Sequence, residues 1–506
     1  MAKSSFDPQI DLSDDGLFGN EVAEDATEQE FRSYYYERRE TGKFSGLSDR
    51  LLIVKAYKGE GKSALLRRST FKIKEFKSNL VIERKGHQIS PNIQSDDYGE
   101  WVREWKRIIL NNFAYEIGSQ IGFAWTDDSI SLVEESEKHG FKEKGLLISI
   151  LNRFGIKYSA GGFKLSLETP GISDIKQTEK ILQRWNDKKI LLWLLVDDID
   201  KNFENTPKNK IKIASFFDAI RDLHALFQNL YVRATIRPNV WTIISREYES
   251  LSHIRQYLMD LCWTPTEIEH MIYWRIRGYI QRKGLWGRVS ADLKGTDEEK
   301  MRRIIGLVFQ DPMRWGDAHK PPSQIISTLS KKRPRWAIEL VKAGSLSALQ
   351  NSHKKIVIED ILLFLDLFGR NRIHDIVAEF ISQCPAIEDL IVLFRQANEE
   401  FDTDGILKFL NLKIQKIENF TISGVIGKPT SRDVANFLFE IGFINGKKYQ
   451  DSGYEHFSYA DRPYFFKSLT TEEGDLWWEI HPCYRQALEI RGADGRHRPM
   501  AKQPGR

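Results

Sequence analysis

A short apolar run, a turn carrying two glycines, a lysine–serine pair and an apolar helix start follow one another without interruption as LLIVKA, YKGEGKS and ALL between Leu51 and Leu66. Read by length and punctuation, this is a strand, a loop and a helix. Ala56, Tyr57, Lys58, Gly59, Glu60, Gly61, Lys62 and Ser63 match the phosphate-loop spacing, with alanine at the first position where glycine is commonest. Such a loop wraps an anion with successive backbone N–H groups and the N-terminus of the following helix, here entered at Ala64. Gly59 and Gly61 let the backbone come close without a Cβ in the way, so Lys62 is expected to reach terminal phosphates and Ser63 to hold Mg²⁺. The alternative is an ordinary basic surface turn. The strand before it and the helix after it argue against that.

A loop of this kind needs a parallel sheet around it, and the sequence supplies the strands. Residues 79–83, 190–196 and 230–236 read as strands, and ILLWLLV at 190–196 is a continuous apolar run of the sort buried on both faces. Ile213, Phe216, Phe217, Ile220, Leu223 and Phe227 recur at helical spacing, so β and α signals alternate and the fold class is α/β. Asp197 follows the apolar run where a metal-binding carboxylate belongs, and Asp198 is the candidate to orient or deprotonate an attacking water. Aspartate is a shorter arm than glutamate, and a base about 1 Å out of place costs roughly a hundredfold in rate, so slow turnover is expected. Asp200 reads equally well as a turn residue and stays outside the assignment. Arg237, at the end of 230–236, is expected at the same sheet edge as the loop, and Arg335 in KKRPRWAIELVKAG is expected to bring a second cation from a helical region.

The 506 residues are divided as an acidic flexible leader (1–30), the α/β domain (31–264, with a hairpin insertion at about 123–175 around Gly161-Gly162), a helical lid (265–350), a helical region (351–420), a winged-helix-like domain (421–490) and a basic tail (491–506). With 41% hydrophobic and 29% charged residues the chain is an ordinary globular one. Cys262, Cys384 and Cys483 are too scattered for a disulfide framework or a paired zinc site, which fits a cytoplasmic setting. His481-Pro482-Cys483 reads as a buried structural trio. No run of about 18 apolar residues predicts a membrane span, and a net charge of +4 calls for no polyanionic partner.

AYKGEGKS, LLVDDID, ATIRPNVW and KKRPRWAIELVKAG resemble, in that order, the Walker A, Walker B, post-strand arginine and sensor-2-like segments of additional-strand P-loop ATPases. The likeness is to bacterial ATPases related to origin-recognition-type AAA+ proteins and, through the DDxD form of Walker B, to KAP and STAND NTPases. It spans residues 31 to 345. It implies a P-loop NTPase of AAA+/STAND type with a parallel sheet, a helical lid and a C-terminal winged-helix-like region, binding ATP and Mg²⁺. It also implies a nucleotide-gated switch or assembly subunit, a homo-oligomer or a complex with an effector protein, and a place in anti-phage defence. Asp198 stands where such ATPases usually carry glutamate, and Thr235 is the one polar residue in sensor position before Arg237. Two other readings follow from the same residues: a DNA-binding regulator using the helix from Ser431 to Ile441, and a scaffold that holds nucleotide without hydrolysing it. That helix shows Arg432 and Asn436 beside Asp433 and Glu440, a sparse set for reading DNA.

Overall fold

The computed structural model describes residues 8–492 apart from 77–78, 127–190, 317, 451–452, 464 and 467–475. The Gly161-Gly162 hairpin and most of the basic tail lie outside the described residues. The chain separates into two compact units: Arg38–Ala56 with Leu65–Leu261, and Met1–Glu37 with Tyr57–Ala64 and Cys262–Arg506.

The first of these is built on a five-stranded parallel sheet. Its strands are β1 (Leu51–Lys55), β2 (Asn79–Lys85), β3 (Leu191–Asp197), β4 (Leu230–Ile236) and β5 (Leu258–Asp260), in the order β2-β3-β4-β1-β5. The apolar runs divide by alternation. Leu51 and Ile53 of β1, with Leu192, Leu194 and Val196 of β3, enter one core beside Trp105, Phe216 and Ile220. Leu52 and Val54, with Trp193 and Leu195, enter a second core beside Phe44, Leu65 and Leu66. A strand buried on both faces must be apolar at every position, which is why these segments read as unbroken runs.

The helices beside the sheet are α1 (Lys62–Lys74), α2 (Tyr98–Thr126), α3 (Pro207–Leu226) and α4 (Pro238–Glu247). Thr206 caps α3 by accepting the Asn209 N–H, and Pro207 fills a first-turn position where no N–H donor is needed. Two buried side chains in β4, Arg233 and Thr235, break the apolar rule. Arg233 is fully buried, lies over Trp193, and donates to the carbonyls of Phe44 (2.5 Å), Gly46 (2.9 Å), Asp49 (2.8 Å) and Arg50 (3.2 Å). Burial pulls its guanidinium down to about 9. It pins the chain that leads into β1.

The other unit corrects the expected mobile leader. Ile10, Leu12, Leu17 and Phe18 are buried in the same core as Ile268, Ile272 and Ile276, and the Ser345 hydroxyl donates to the Leu12 carbonyl at 2.8 Å. The following helix, Glu28–Tyr34, packs on α5 (Pro265–Arg282), where a side chain at Gly278 would meet the Ser33 carbonyl at 2.7 Å. Further helices include α6 (Pro322–Leu329), α7 (Pro334–Gln350) and α8 (Leu365–Phe380).

The C-terminal sheet comprises β6 (Glu400–Asp402), β7 (Ile444–Gln450), β8 (Gly453–Phe457) and β9 (Leu476–Ile480), antiparallel in the order β8-β7-β9-β6. Before β7 stands α9 (Ser431–Glu440), with a Thr430–Asp433 capping box and Val434, Phe437 and Leu438 buried. Gly442 takes φ +66° just after it, the left-handed stop that the sequence announces. This is the winged-helix-like region. His481 and Cys483 are buried together, Nδ1 to Sγ 3.0 Å, and burial keeps the imidazole neutral.

Candidate functional site

The loop after β1 is shaped by its own residues. Gly59 has φ +87° and Gly61 φ +94°, values that side-chain-bearing residues rarely adopt. The Glu60 carboxylate turns back to accept the Tyr57 N–H at 2.6 Å, and burial raises its pKa. Lys62 opens α1, and only 7% of it is exposed. Lys62, Ser63 and Ala64 therefore stand at a helix N-terminus, with their N–H groups outside the helix's own ladder.

Residues far along the chain hold this loop. Trp263 donates its indole N–H to the Glu60 carbonyl (2.8 Å), and the Arg335 N–H donates to the Gly59 carbonyl (3.2 Å). Arg333 donates to the Lys58 carbonyl (3.2 Å) and to Glu379 Oε2 (3.0 Å), while Glu379 Oε1 accepts the Lys58 N–H (3.1 Å). Lys58 Nζ pairs with Asp375 at 3.3 Å. Burial works against the Arg333 charge, but Glu379 and Glu60 outweigh it and hold the guanidinium protonated beyond its ordinary range. Glu379 is a functional candidate that sequence reasoning passed over, and Arg333 was read only as part of the segment that carries Arg335. The expected cation was Arg335, whose backbone rather than its head is what the loop carbonyl meets.

The other group of candidate residues lies along the C-terminal edge of the parallel sheet. Lys55 at the end of β1 pairs in register with Ile236 and Asp260, and Asp197 ends β3 on the same edge. The Ala56 N–H continues the ladder to the Ile236 carbonyl at 3.2 Å before the chain turns into the loop.

Thr235, fully buried in β4, donates its hydroxyl to Asp197 Oδ1 at 2.6 Å and accepts the Asp198 N–H at 3.0 Å; Asp197 Oδ1 takes the same N–H at 3.0 Å. Asp198 itself sits at φ +49°. Arg237 is tied to Asp200: Nε to Oδ2 2.6 Å, its backbone N–H to Oδ2 3.0 Å, and Nη2 to the Asp200 carbonyl 2.5 Å. Asp200, left unassigned on sequence, is 1% exposed and fixes where this arginine points.

A carboxylate and a hydroxyl are hard oxygen donors, the set that suits Mg²⁺ rather than a soft metal. Among the described residues there is no group of three or more His, Cys, Asp or Glu arranged to hold a metal by themselves.

A parallel sheet ordered β2-β3-β4-β1-β5, a glycine loop between its first strand and a helix, a carboxylate ending β3, a helical region and a winged-helix-like C-terminal sheet together constitute an AAA+-type P-loop fold. Solved structures align with nearly the whole chain: Cdc6p from Pyrobaculum aerophilum (11% identity, TM-score 0.31, 94% of this chain and 96% of that one) and Drosophila ORC bound to DNA (12%, 0.31, 93% and 96%). The Aeropyrum pernix ORC2 protein in ADPNP–ADP complexes aligns at 10% identity and TM-score 0.35, over 88% of this chain and 87% of that one. The strand order and the loop, rather than these scores, define the fold.

In sequence, the chain is 20% identical over 398 residues to the putative transposon gamma-delta 80.3 kDa protein of Escherichia coli (strain K12), covering 76% of this chain and 53% of that protein. The chain thus spans about half the length of that curated relative. No family model matches it.

Proposed function

We propose that this chain binds ATP with Mg²⁺ and hydrolyses it slowly, acting as a nucleotide-gated switch or assembly subunit. The observation that carries the reading is the loop: two left-handed glycines bend residues 57–61, and the chain enters α1 at Lys62, so that the loop leads directly into a helix N-terminus, the element that suits an anion. In this reading Ala56 through Ala64 form the phosphate cradle, Lys62 neutralises the terminal phosphates, and Ser63 and Asp197 hold the metal. When bound, the ion would draw charge from the phosphate oxygens.

Asp198 is assigned to the attacking water. Its short side chain on a left-handed residue supports slow rather than fast turnover. Arg237, aimed by Asp200, and Arg335, at the start of α7, are assigned as cations for the transferred phosphate.

ATP binding by wild type and its loss in Lys62→Ala, with an unchanged circular dichroism spectrum, is the expected result. Equal binding by the variant defeats the proposal. Phosphate release that falls further in Asp198→Asn separates hydrolysis from mere retention of nucleotide. Light scattering with and without ATP tests assembly, and a role in antiviral defence, which rests on sequence resemblance alone, is tested by phage challenge of cells carrying Lys62→Ala. Among the described residues no helix is long and apolar enough to cross a membrane.

A further inference from the structure

We propose that Glu379 is a positioning residue for the phosphate loop, and that through the turn Lys331–Arg335 the same contacts tie the loop to the C-terminal winged-helix-like region. The inference rests on the ATP-binding reading and adds to it a regulatory connection.

Glu379 belongs to the last turn of α8, hundreds of residues from the loop in sequence, yet its carboxylate accepts the Lys58 N–H at 3.1 Å. An ion buried this deeply needs a partner, and Arg333 provides it at 3.0 Å, with side chains 6% and 2% exposed for Arg333 and Glu379. Arg333 completes a ring of contacts by donating to the Lys58 carbonyl at 3.2 Å. Both backbone polar groups of Lys58 are therefore held by one buried ion pair. The next residue's carbonyl is held by the Arg335 N–H. A peptide gripped at N–H and C=O has its rotation set, and Gly59 follows directly at φ +87°. The pair fixes the bend from which the cradle N–H groups are aimed, as an outer contact fixes a ligand it does not itself touch.

The same turn reaches the other way. Lys331, two residues before Arg333, donates its ammonium to the Ile441 carbonyl (3.0 Å), at the C-terminal cap of α9, and to the Tyr484 hydroxyl (3.2 Å). Lys331 and Lys332 both lie at positive φ, 52° and 57°, so this turn is a specified shape rather than a slack connector. Lys331 thus reaches the winged-helix-like region, while Arg333 and Arg335 of the same turn hold the loop. A nucleotide that prefers one loop geometry must then shift the contacts at α9, and anything that moves α9 must alter nucleotide affinity by the same factor.

The test is equilibrium binding of a fluorescent ATP analogue, with steady-state hydrolysis, in the full chain. Glu379→Gln keeps an acceptor for the Lys58 N–H and removes the charge that Arg333 needs. It is expected to weaken nucleotide binding by about 10–100-fold, the usual cost of an outer-shell partner, raising KM and leaving kcat within about twofold. Arg333→Met should have a similar effect, and the double variant should be little worse than either single one, because both remove one device. Asp360→Asn controls for general damage. It disturbs a comparably buried carboxylate, paired with His353 at 3.0 Å, without touching either the loop or the winged-helix-like region, and should leave KM unchanged.

Amide exchange at residues 437–441 should slow on adding nucleotide to wild type and respond less in Glu379→Gln. Unchanged or tighter nucleotide binding in Glu379→Gln overturns the proposal, as does an equal rise in KM in Asp360→Asn. If instead wild type and Lys62→Ala bind alike, it is the ATP reading that has failed; if Lys62→Ala alone loses binding, the Glu379 device has failed and the reading stands.

Discussion

Replacing Thr235 by valine isolates the oriented carboxylate at the end of β3. Valine matches threonine in shape and suits a strand, so the change removes one hydroxyl from a fully buried position and little else. Two hydrogen bonds disappear, but their costs differ. The Asp198 N–H keeps its second acceptor, Asp197 Oδ1 at 3.0 Å, so no donor is orphaned. The bond that counts is the 2.6 Å donation from Thr235 to the Asp197 carboxylate. A hydrogen bond to a charged group contributes about 1.5–3 kcal/mol. For a unit of about 200 residues that corresponds to a fall in its thermal midpoint on the order of 5–10 °C.

The functional arm is sharper, since an unoriented metal ligand costs about 10–100-fold in metal affinity. Magnesium titrated into the ATP complex should show that loss in Thr235→Val, while ATP binding measured in EDTA stays as in wild type. Equal losses with and without magnesium would refute the assignment of Thr235 as the residue that aims Asp197.

Two further predictions concern the loop's unit. Burial, followed by the nearby Arg333 charge, pulls Lys331 from 10.5 down to about 7. Between those values the unfolded chain carries a proton that the folded chain lacks, so stability should rise with pH across that window, with a slope of at most about 1.4 kcal/mol per pH unit; Lys331→Met should flatten it, and an unaltered slope in urea denaturation from pH 7 to 10 would show that the ammonium is not the source. Gly59→Ala places a Cβ 3.3 Å from the Arg335 Cβ on a residue at φ +87°, and should weaken ATP binding at least about tenfold, whereas Gly287→Ala, whose Cβ meets nothing within 4 Å, should bind as wild type.

Whatever the chain writes contiguously could be read from it. β1 and β3 announce themselves because burial on both faces leaves nearly unbroken apolar runs, and α9 because its apolar spacing from Ser431 to Ile441 describes one helix. The loop is legible for the same reason: its geometry is local. What depends on pairing across hundreds of residues left no local mark. Glu379 looks like any charge on a helix, and nothing near it in sequence indicates a backbone amide of the loop as its partner. Arg233 interrupts an apolar strand without a nearby carboxylate to explain it, because its partners are carbonyls, which every residue carries. The acidic start of the chain concealed Ile10, Leu12, Leu17 and Phe18 because their spacing follows no helical or strand period. Arg237 was legible as a cation at a strand end, but not its capture by Asp200.

The intertwined division of the chain bears on any attempt to dissect it. A fragment ending at Leu261 would keep every strand of the parallel sheet and the whole GKS signature, yet would strip the signature of Trp263, Arg333, Arg335 and Glu379. Trimming the first twenty residues as a disposable extension would uncover Ile268 and its neighbours, about 250 positions further along the sequence. The smallest piece expected to behave like the parent therefore has no internal cut point: the loop written near residue 60 takes its shape from residues roughly two to three hundred positions further on.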